Sequence, residues 1–448
     1  MAATKTLFFC QNCGAQSVRW LGRCPSCGEW NTYAEEIVQK TKSRRSTSAA
    51  AAERLDELSP AGMVVLPTPD NEFNRVLGGG LVQGSVVLLG GEPGFGKSTL
   101  LLQLALRLQN QRVLYVSGEE SLQQIKLRAD RLGPMQSDCW LLAETNVDEV
   151  LAQARQLQPQ LLIIDSIQTL QSPSLESPAG SVGQVRDTAA ALVRYAKETG
   201  TPVLLIGHIT KDGVLAGPKV LEHMVDVVLQ LEGDRHYAYR ILRSLKNRFG
   251  SAMELGIYEL TDAGMVAVQN PSQVLLTERH QPVSGIATAV ILEGARPLLI
   301  ETQALVTPYV YGTPQRSSTG YDPRRLNMLL AVLEKRCGLR FGIHDVFFNI
   351  AGGLRVEDPA VDLAAVASLI SSYHDTPVAS ATCFCGEIGL SGEVRPVSRT
   401  DQRMAEAARL GFHHAYLSAY NRKSLTRPAA EMKIHFVATV SELINKLF

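Results

Sequence analysis

The chain has 448 residues, 45% hydrophobic and 20% charged, with 44 Lys and Arg against 44 Asp and Glu. That length predicts about three domains, and the composition excludes intrinsic disorder and any apolar run long enough to span a bilayer as a helix. A formal charge of zero gives no bulk attraction to nucleic acid, so any such site must come from local clusters.

The opening stretch MAATKTLFFCQNC has too short an apolar run for a secretory signal, and a cytoplasmic location with no membrane partner is expected. Cys10 and Cys13, then Cys24 and Cys27, form two C-x-x-C pairs joined by a short loop. Four thiolates at that spacing close a tetrahedral, structural zinc site, expected within a module of residues 1–34. Two disulfides are the competing reading, disfavoured in a reducing compartment. Arg19, Trp20 and Arg23 lie in the connecting loop, where they face a nucleic acid or a partner; alternatively, Trp20 and Trp30 make the small core of the module. Residues 35–57 are rich in Ser and Ala and read as a linker, with Lys40, Lys42, Arg44 and Arg45 as a solvated basic run or, alternatively, as phosphate contacts.

An ATPase-like domain is expected over residues 58–268. The apolar strand Ser85 to Leu89 runs into Gly91, Glu92, Pro93, Gly94, Phe95, Gly96, Lys97, Ser98 and Thr99, followed by an apolar helix. This is a P-loop in its strand–loop–helix context. Its glycines let backbone N–H groups close around ATP phosphates, Lys97 reaches the β- and γ-phosphates, and Ser98 ligates Mg²⁺. Further strands end in Glu119 and Glu120, in Asp165, and in His208. Ligands bind at the carboxyl ends of parallel strands, so these groups are expected to converge on the nucleotide. Asp165 is assigned to Mg²⁺ and Glu119 to polarising the attacking water, with Glu120 second; an exposed acidic pair at a helix start is the alternative. His208 is either a γ-phosphate sensor or a polar strand-end residue.

The order RVLGGGLVQGSVVLLGGEPGFGKST, YVSGEES and IIDS resembles the RecA-type ATPases and the DnaB-type replicative helicases. That resemblance implies ATP held between subunits of a ring or filament. The pentapeptide Lys246-Asn247-Arg248-Phe249-Gly250, taken with the cysteine module, is similar to the bacterial RadA (Sms) family of DNA repair proteins. This implies Lys246 and Arg248 as finger residues acting on a neighbouring subunit's γ-phosphate. It also implies a homohexameric, DNA-stimulated ATPase of DnaB-helicase type. Such a protein translocates on single-stranded DNA, promotes branch migration of recombination intermediates, and works on branched DNA with a RecA-type recombinase. Loops after Asp165 and His208 match those that line the DNA channel in RecA-type proteins, and assign Lys211 and Lys219 to phosphate contact; solvated loops look alike.

From residue 269 to 448 the pattern is a second α/β domain. Its order resembles the proteolytic domain of Lon, which implies a serine nucleophile before a helix and a partner lysine. Here Ala360 or Val361 occupies the serine position and Asp401 the lysine position, so no peptidase activity is expected. Asp358 and Asp362 are expected near the helix start, where exposed N–H groups favour carboxylates. Arg316, Arg324 and Arg325, and later Arg395, Arg399 and Arg403, suit a phosphate-binding face, with ion pairs as the competing explanation. An ATP-dependent protease lacks its nucleophile, and the cysteine module and KNRFG argue against a KaiC-like autokinase.

Overall fold

The computed structural model describes residues 4–11, 14–39, 64–209, 215–216, 220–233, 239–252, 254–277, 281–309, 313–353, 355–426 and 432–448. It divides into two compact units, residues 1–268 and 269–448.

In the first unit the strand Thr4–Cys10 pairs antiparallel with Tyr33–Gln39 along its whole length, from Thr4 opposite Gln39 to Cys10 opposite Tyr33. Glu35–Gln39 therefore belong to the cysteine module, and the linker expected from residue 35 is corrected at its start. The reason is register: once Cys10 faces Tyr33, the opening strand continues to offer backbone partners as far as Gln39. The indoles are also corrected. Cys10, Cys24 and Tyr33 form the buried core, whereas Trp20 and Trp30 are 53% and 66% exposed.

A nine-stranded sheet carries the rest of this unit. Its parallel part runs, in spatial order, Asp138–Ala143, Arg112–Ser117, Leu161–Asp165, Val203–Ile206, Val86–Gly91 and Val227–Gly233. The central strands are apolar throughout because helices cover both faces, as two separate buried clusters show. Tyr239–Asn247, Leu255–Thr261 and Gly264–Ala267 extend the sheet by antiparallel hairpins. The helix Lys97–Arg107 starts directly after Gly96, whose φ of +96° is the left-handed conformation that glycine adopts without strain. The helix Leu122–Arg131 begins on a Ser121–Gln124 capping box, so Glu119 and Glu120 are left outside its first turn.

The second unit is built on a seven-stranded sheet in the order Arg316–Thr319, His344–Ile350, Arg296–Pro308, Ile286–Glu293, Thr382–Cys385, His414–Ser418, Lys433–Val437. The helix Asp362–Tyr373 is buried nearly throughout, which its small residues Ala364, Ala365, Ala367 and Ser368 allow. Asp358 accepts from Ala360 N–H and caps the short turn before it. Asp362 stands in the first turn of the helix, as expected, and has a further part. Its side chain is fully buried and ion-paired with Arg325, while Tyr321 Oη and Ile388 N donate to it at 2.7 and 3.0 Å.

Candidate active site

Lys97 is buried, and its Nζ donates to the carbonyls of Gly91 and Glu92 at 2.7 and 2.9 Å. Burial lowers its pKa to about 8, and the charges of Asp165, Glu119 and Glu92 pull against that shift. An ammonium at this position gains strongly from an anionic partner, because the partner offsets the desolvation. Gly91 has no room for a side chain: a Cβ there would sit 2.6 Å from the Leu231 carbonyl oxygen. Ser98 and Thr99 follow on the first turn of the helix and are half-buried.

Asp165 ends its strand 5% exposed. The Tyr115 hydroxyl donates to its Oδ2 at 2.6 Å, and an Arg128 nitrogen lies 3.9 Å from the same oxygen. Tyr115 thus fixes one carboxylate oxygen, with the Arg128 charge nearby. Glu119 stands next to it: Ser166 Oγ donates to Glu119 Oε1 at 2.6 Å, and His208 Nε2 lies 3.2 Å from that oxygen. Burial alone would raise the Glu119 pKa, but the hydrogen bonds from Ser166 and His208, with attraction from His208 and Lys97, hold it below the ordinary value. The carboxylate is therefore ionised at neutral pH, and 43% of its side chain is open to solvent. Such a group orients and polarises a water molecule. Glu120, the second choice for that role, pairs with Arg128 at 2.9 Å.

Replacing Glu119 with Gln is expected to lower kcat for ATP hydrolysis by about 10²- to 10⁴-fold with little change in nucleotide affinity. Pre-steady-state hydrolysis and fluorescent-nucleotide titration measure the two separately. A variant that loses affinity in proportion to rate contradicts this role.

The donor set of Lys97, Ser98 and Asp165 fits a nucleotide triphosphate with Mg²⁺: a cation for phosphate, then a hydroxyl and a carboxylate, the hard oxygen ligands this ion prefers. Sequence reasoning did not single out Tyr115, Arg128 or Ser166. Ser166 adjoins Asp165 and a polar residue there was the available signal, whereas Tyr115 meets Asp165 across 50 residues with no local mark.

Lys246 and Arg248 stand elsewhere. Asn247 is opposite Val227, which is opposite Val87, and the Arg248 N–H donates to the Asp226 carbonyl at 3.2 Å. This is the amino end of the Val86–Gly91 strand, roughly 17 Å along the strand from Gly91 at about 3.3 Å per residue. Buried Asp226 accepts from Val86 N at 3.0 Å and Lys197 Nζ at 2.9 Å, and lies 3.3 Å from Arg248 Nη1. Lys246 Nζ donates to the Glu222 and Val225 carbonyls at 2.6 and 2.7 Å, whereas 56% of the Arg248 side chain is exposed. Of the two, Arg248 presents the more exposed side chain, with Asp226 as its partner within the chain.

The expected DNA contacts fare unequally. Lys211 and Lys219 lie outside the described residues. Arg316 and Arg324 are exposed. Arg325 is corrected: its guanidinium is committed to buried Asp362 and the Ile388 carbonyl. Arg403 is corrected too, being 2% exposed and bonded to Asp358 at 2.7 Å and to the Val290 carbonyl at 2.8 Å. Arg395 pairs with Glu393 at 2.8 Å.

At the amino terminus the sulfurs of Cys10, Cys24 and Cys27 lie within 4.8 Å of one another, and Cys13 is outside the described residues. The Cys10–Cys27 separation of 3.7 Å matches the edge of about 3.8 Å expected for thiolates around zinc, and is far beyond a disulfide bond of about 2 Å. Gly14 and Gly28, at φ of +69° and +80°, donate to the Cys10 and Cys24 carbonyls and make two like knuckles. The soft sulfur set fits zinc.

Comparison with known proteins finds family matches along the chain. Residues 8–35 match the rubredoxin metal binding domain, residues 51–214 the AAA domain, and residues 341–448 the Lon protease (S16) C-terminal proteolytic domain. The fold is α/β: a RecA-type P-loop core carrying an amino-terminal cysteine module and a carboxy-terminal Lon-like domain. The chain is 46% identical to DNA repair protein RadA of Bacillus subtilis over 99% of both chains. It is 47% identical to DNA repair protein RadA of Streptococcus pyogenes serotype M1 over 100% of both. Among solved structures, a KaiC-like protein from Pyrococcus horikoshii covers 46% of this chain and 100% of its own, at 19% identity and a TM-score of 0.39. Among the described residues, no helix is long and apolar enough to cross a membrane.

Proposed function

The chain belongs to the RadA family of DNA repair proteins, and from that premise we propose that it is a DNA-stimulated ATPase and DnaB-type helicase of homologous recombination. It translocates on single-stranded DNA as a homohexamer and promotes branch migration of recombination intermediates alongside a RecA-type recombinase. ATP and Mg²⁺ are held by Gly91–Thr99, Asp165 and His208, with Lys97 on the phosphates and Glu119 orienting the water. Zinc is held by Cys10, Cys13, Cys24 and Cys27, and DNA by Lys211, Lys219, Arg316 and Arg324.

One observation carries the interface reading. Arg248 is exposed at the end of the sheet opposite the P-loop, about 17 Å from Gly91 by strand register. A guanidinium there does not reach a nucleotide in its own P-loop, but in a ring it meets the one held by the next subunit. Delivered at that moment, its charge stabilises the transferring phosphoryl group.

The Lon-like unit serves as scaffold and DNA-facing surface without peptidase chemistry. Ala360 and Val361, at 0% and 1% exposure, stand where the nucleophile would be, and Asp401 accepts from Thr426 N at 2.9 Å where the lysine would be. The test is the ATPase rate with and without single-stranded DNA across a salt series. Stimulation that weakens with salt is expected. A rate indifferent to DNA at every salt concentration overturns the motor reading.

A further inference from the structure

Two large indoles on the cysteine module are left in water, although its core is already closed by Cys10, Cys24 and Tyr33 with Phe8, Ala15 and Leu21 around them. Trp20 and Trp30, at 53% and 66% exposure, are nevertheless not loose. Trp20 Nε1 donates to the Tyr33 carbonyl at 3.1 Å, which fixes the ring while exposing much of it. Trp30 lies opposite Arg23 in an antiparallel bridge, and Asn31 N–H donates to the Gly22 carbonyl at 2.7 Å to hold that pairing. The Arg23 Nε donates to the Gly28 carbonyl at 2.9 Å, and its guanidinium stands 5.8 Å over the Trp30 ring. Both rings border Gly22, where an added Cβ would lie 3.7 Å from Trp20 and 3.9 Å from Trp30. The two indoles are neighbours on one surface.

The loop between the cysteine pairs, residues 14–23, adds exposed Arg19 and carries Arg23, and it contains no acidic residue. Arg186 on the helix Val182–Thr199 donates to the Gly14 carbonyl at 3.0 Å. That helix begins right after the loop that follows Asp165, so the module is fastened at the carboxyl edge of the parallel sheet, beside the loop expected to face DNA.

We propose that Trp20 and Trp30, with Arg19 and Arg23, form a base-stacking site for single-stranded DNA. Any base presents a π-face to an indole, so such a platform binds without sequence preference, and the guanidinium groups meet the backbone phosphates. Exposed Arg19 and Arg23, against the exposed carboxylate of Glu29 beside Trp30, favour a polyanion over an apolar peptide. This site rests on the DNA reading above and adds to it a contact point outside the ring's channel loops.

The chain has three tryptophans, which makes the test direct. In the full-length Trp140→Phe variant, all indole emission comes from Trp20 and Trp30. Titration with an oligothymidylate is expected to quench that emission, saturating at the same concentration as the anisotropy of a labelled copy of the oligonucleotide. Trp20→Ala with Trp30→Ala weakens binding roughly tenfold, whereas Trp20→Phe with Trp30→Phe retains most of the affinity. Chelator-released zinc, equal in all variants, shows that the module is intact. Binding by anisotropy with unchanged emission, or alanine variants that bind like the parent, overturns the stacking site and leaves the DNA reading standing; the indoles then serve a protein partner. Phenylalanine variants as weak as the alanine ones overturn it too. No anisotropy change in the unsubstituted chain overturns the DNA reading and this site together.

Discussion

Replacing Arg248 with Ala is expected to cut kcat for ATP hydrolysis about 1,000-fold while nucleotide affinity stays within about twofold. Strand register is the reason. Arg248 lies beside Asp226 at the start of the Val86–Gly91 strand, and the phosphate loop lies past its other end. In the proposed ring its contribution is made to a nucleotide bound by another copy, and only where charge develops during phosphoryl transfer. The fold should not suffer, because Asp226 keeps its bonds from Val86 N and Lys197. Arg248→Lys is expected to recover only part of the rate, since an ammonium lacks the planar fork. Steady-state kinetics with a separate nucleotide-binding titration checks both statements. Equal losses in affinity and rate would place Arg248 in the ground-state site instead.

The second large effect concerns stability. Arg325→Ala is expected to destabilise the carboxy-terminal unit by about 3 kcal/mol, because it leaves the fully buried carboxylate of Asp362 without its cation. Bonds from Tyr321 and Ile388 keep the effect from being larger. Adding Asp362→Asn to that variant should restore part of the loss, since the uncompensated charge is then gone. Urea unfolding followed by tyrosine fluorescence or circular dichroism reads the change. If Arg325→Ala instead weakens DNA binding and leaves the unfolding midpoint unchanged, Arg325 belongs with exposed Arg316 and Arg324 on a phosphate-binding face.

What the sequence reveals is what is written locally. The P-loop depends on glycines and a lysine at fixed offsets from one strand, and the cysteine knuckles depend on C-x-x-C spacing, so both are legible along the chain. Glu119 is legible because it follows the strand Arg112–Ser117, whose neighbour ends in Asp165. Long-range partners carry no such mark. Arg325 finds Asp362 across 37 residues, Arg403 finds Asp358 across 45, and Asp226 holds Val86 across 140. An arginine cluster reads the same in sequence whether it faces phosphate or neutralises a buried acid, and only packing distinguishes the two. The exposed indoles make the converse case: two tryptophans in a small module suggest a core, but the cysteines and Tyr33 already fill it.

The central claim, that ATP is hydrolysed between subunits, is tested most directly by mixing two inactive variants. Lys97→Ala lacks the phosphate-binding lysine but keeps Arg248; Arg248→Ala keeps its P-loop. Mixed in equal amounts and allowed to reassemble, they complete about one interface in four at random, so about a quarter of the unsubstituted ATPase rate should return. A mixture as inactive as its separate components, at every ratio and with exchange of subunits verified, would contradict a site shared between copies.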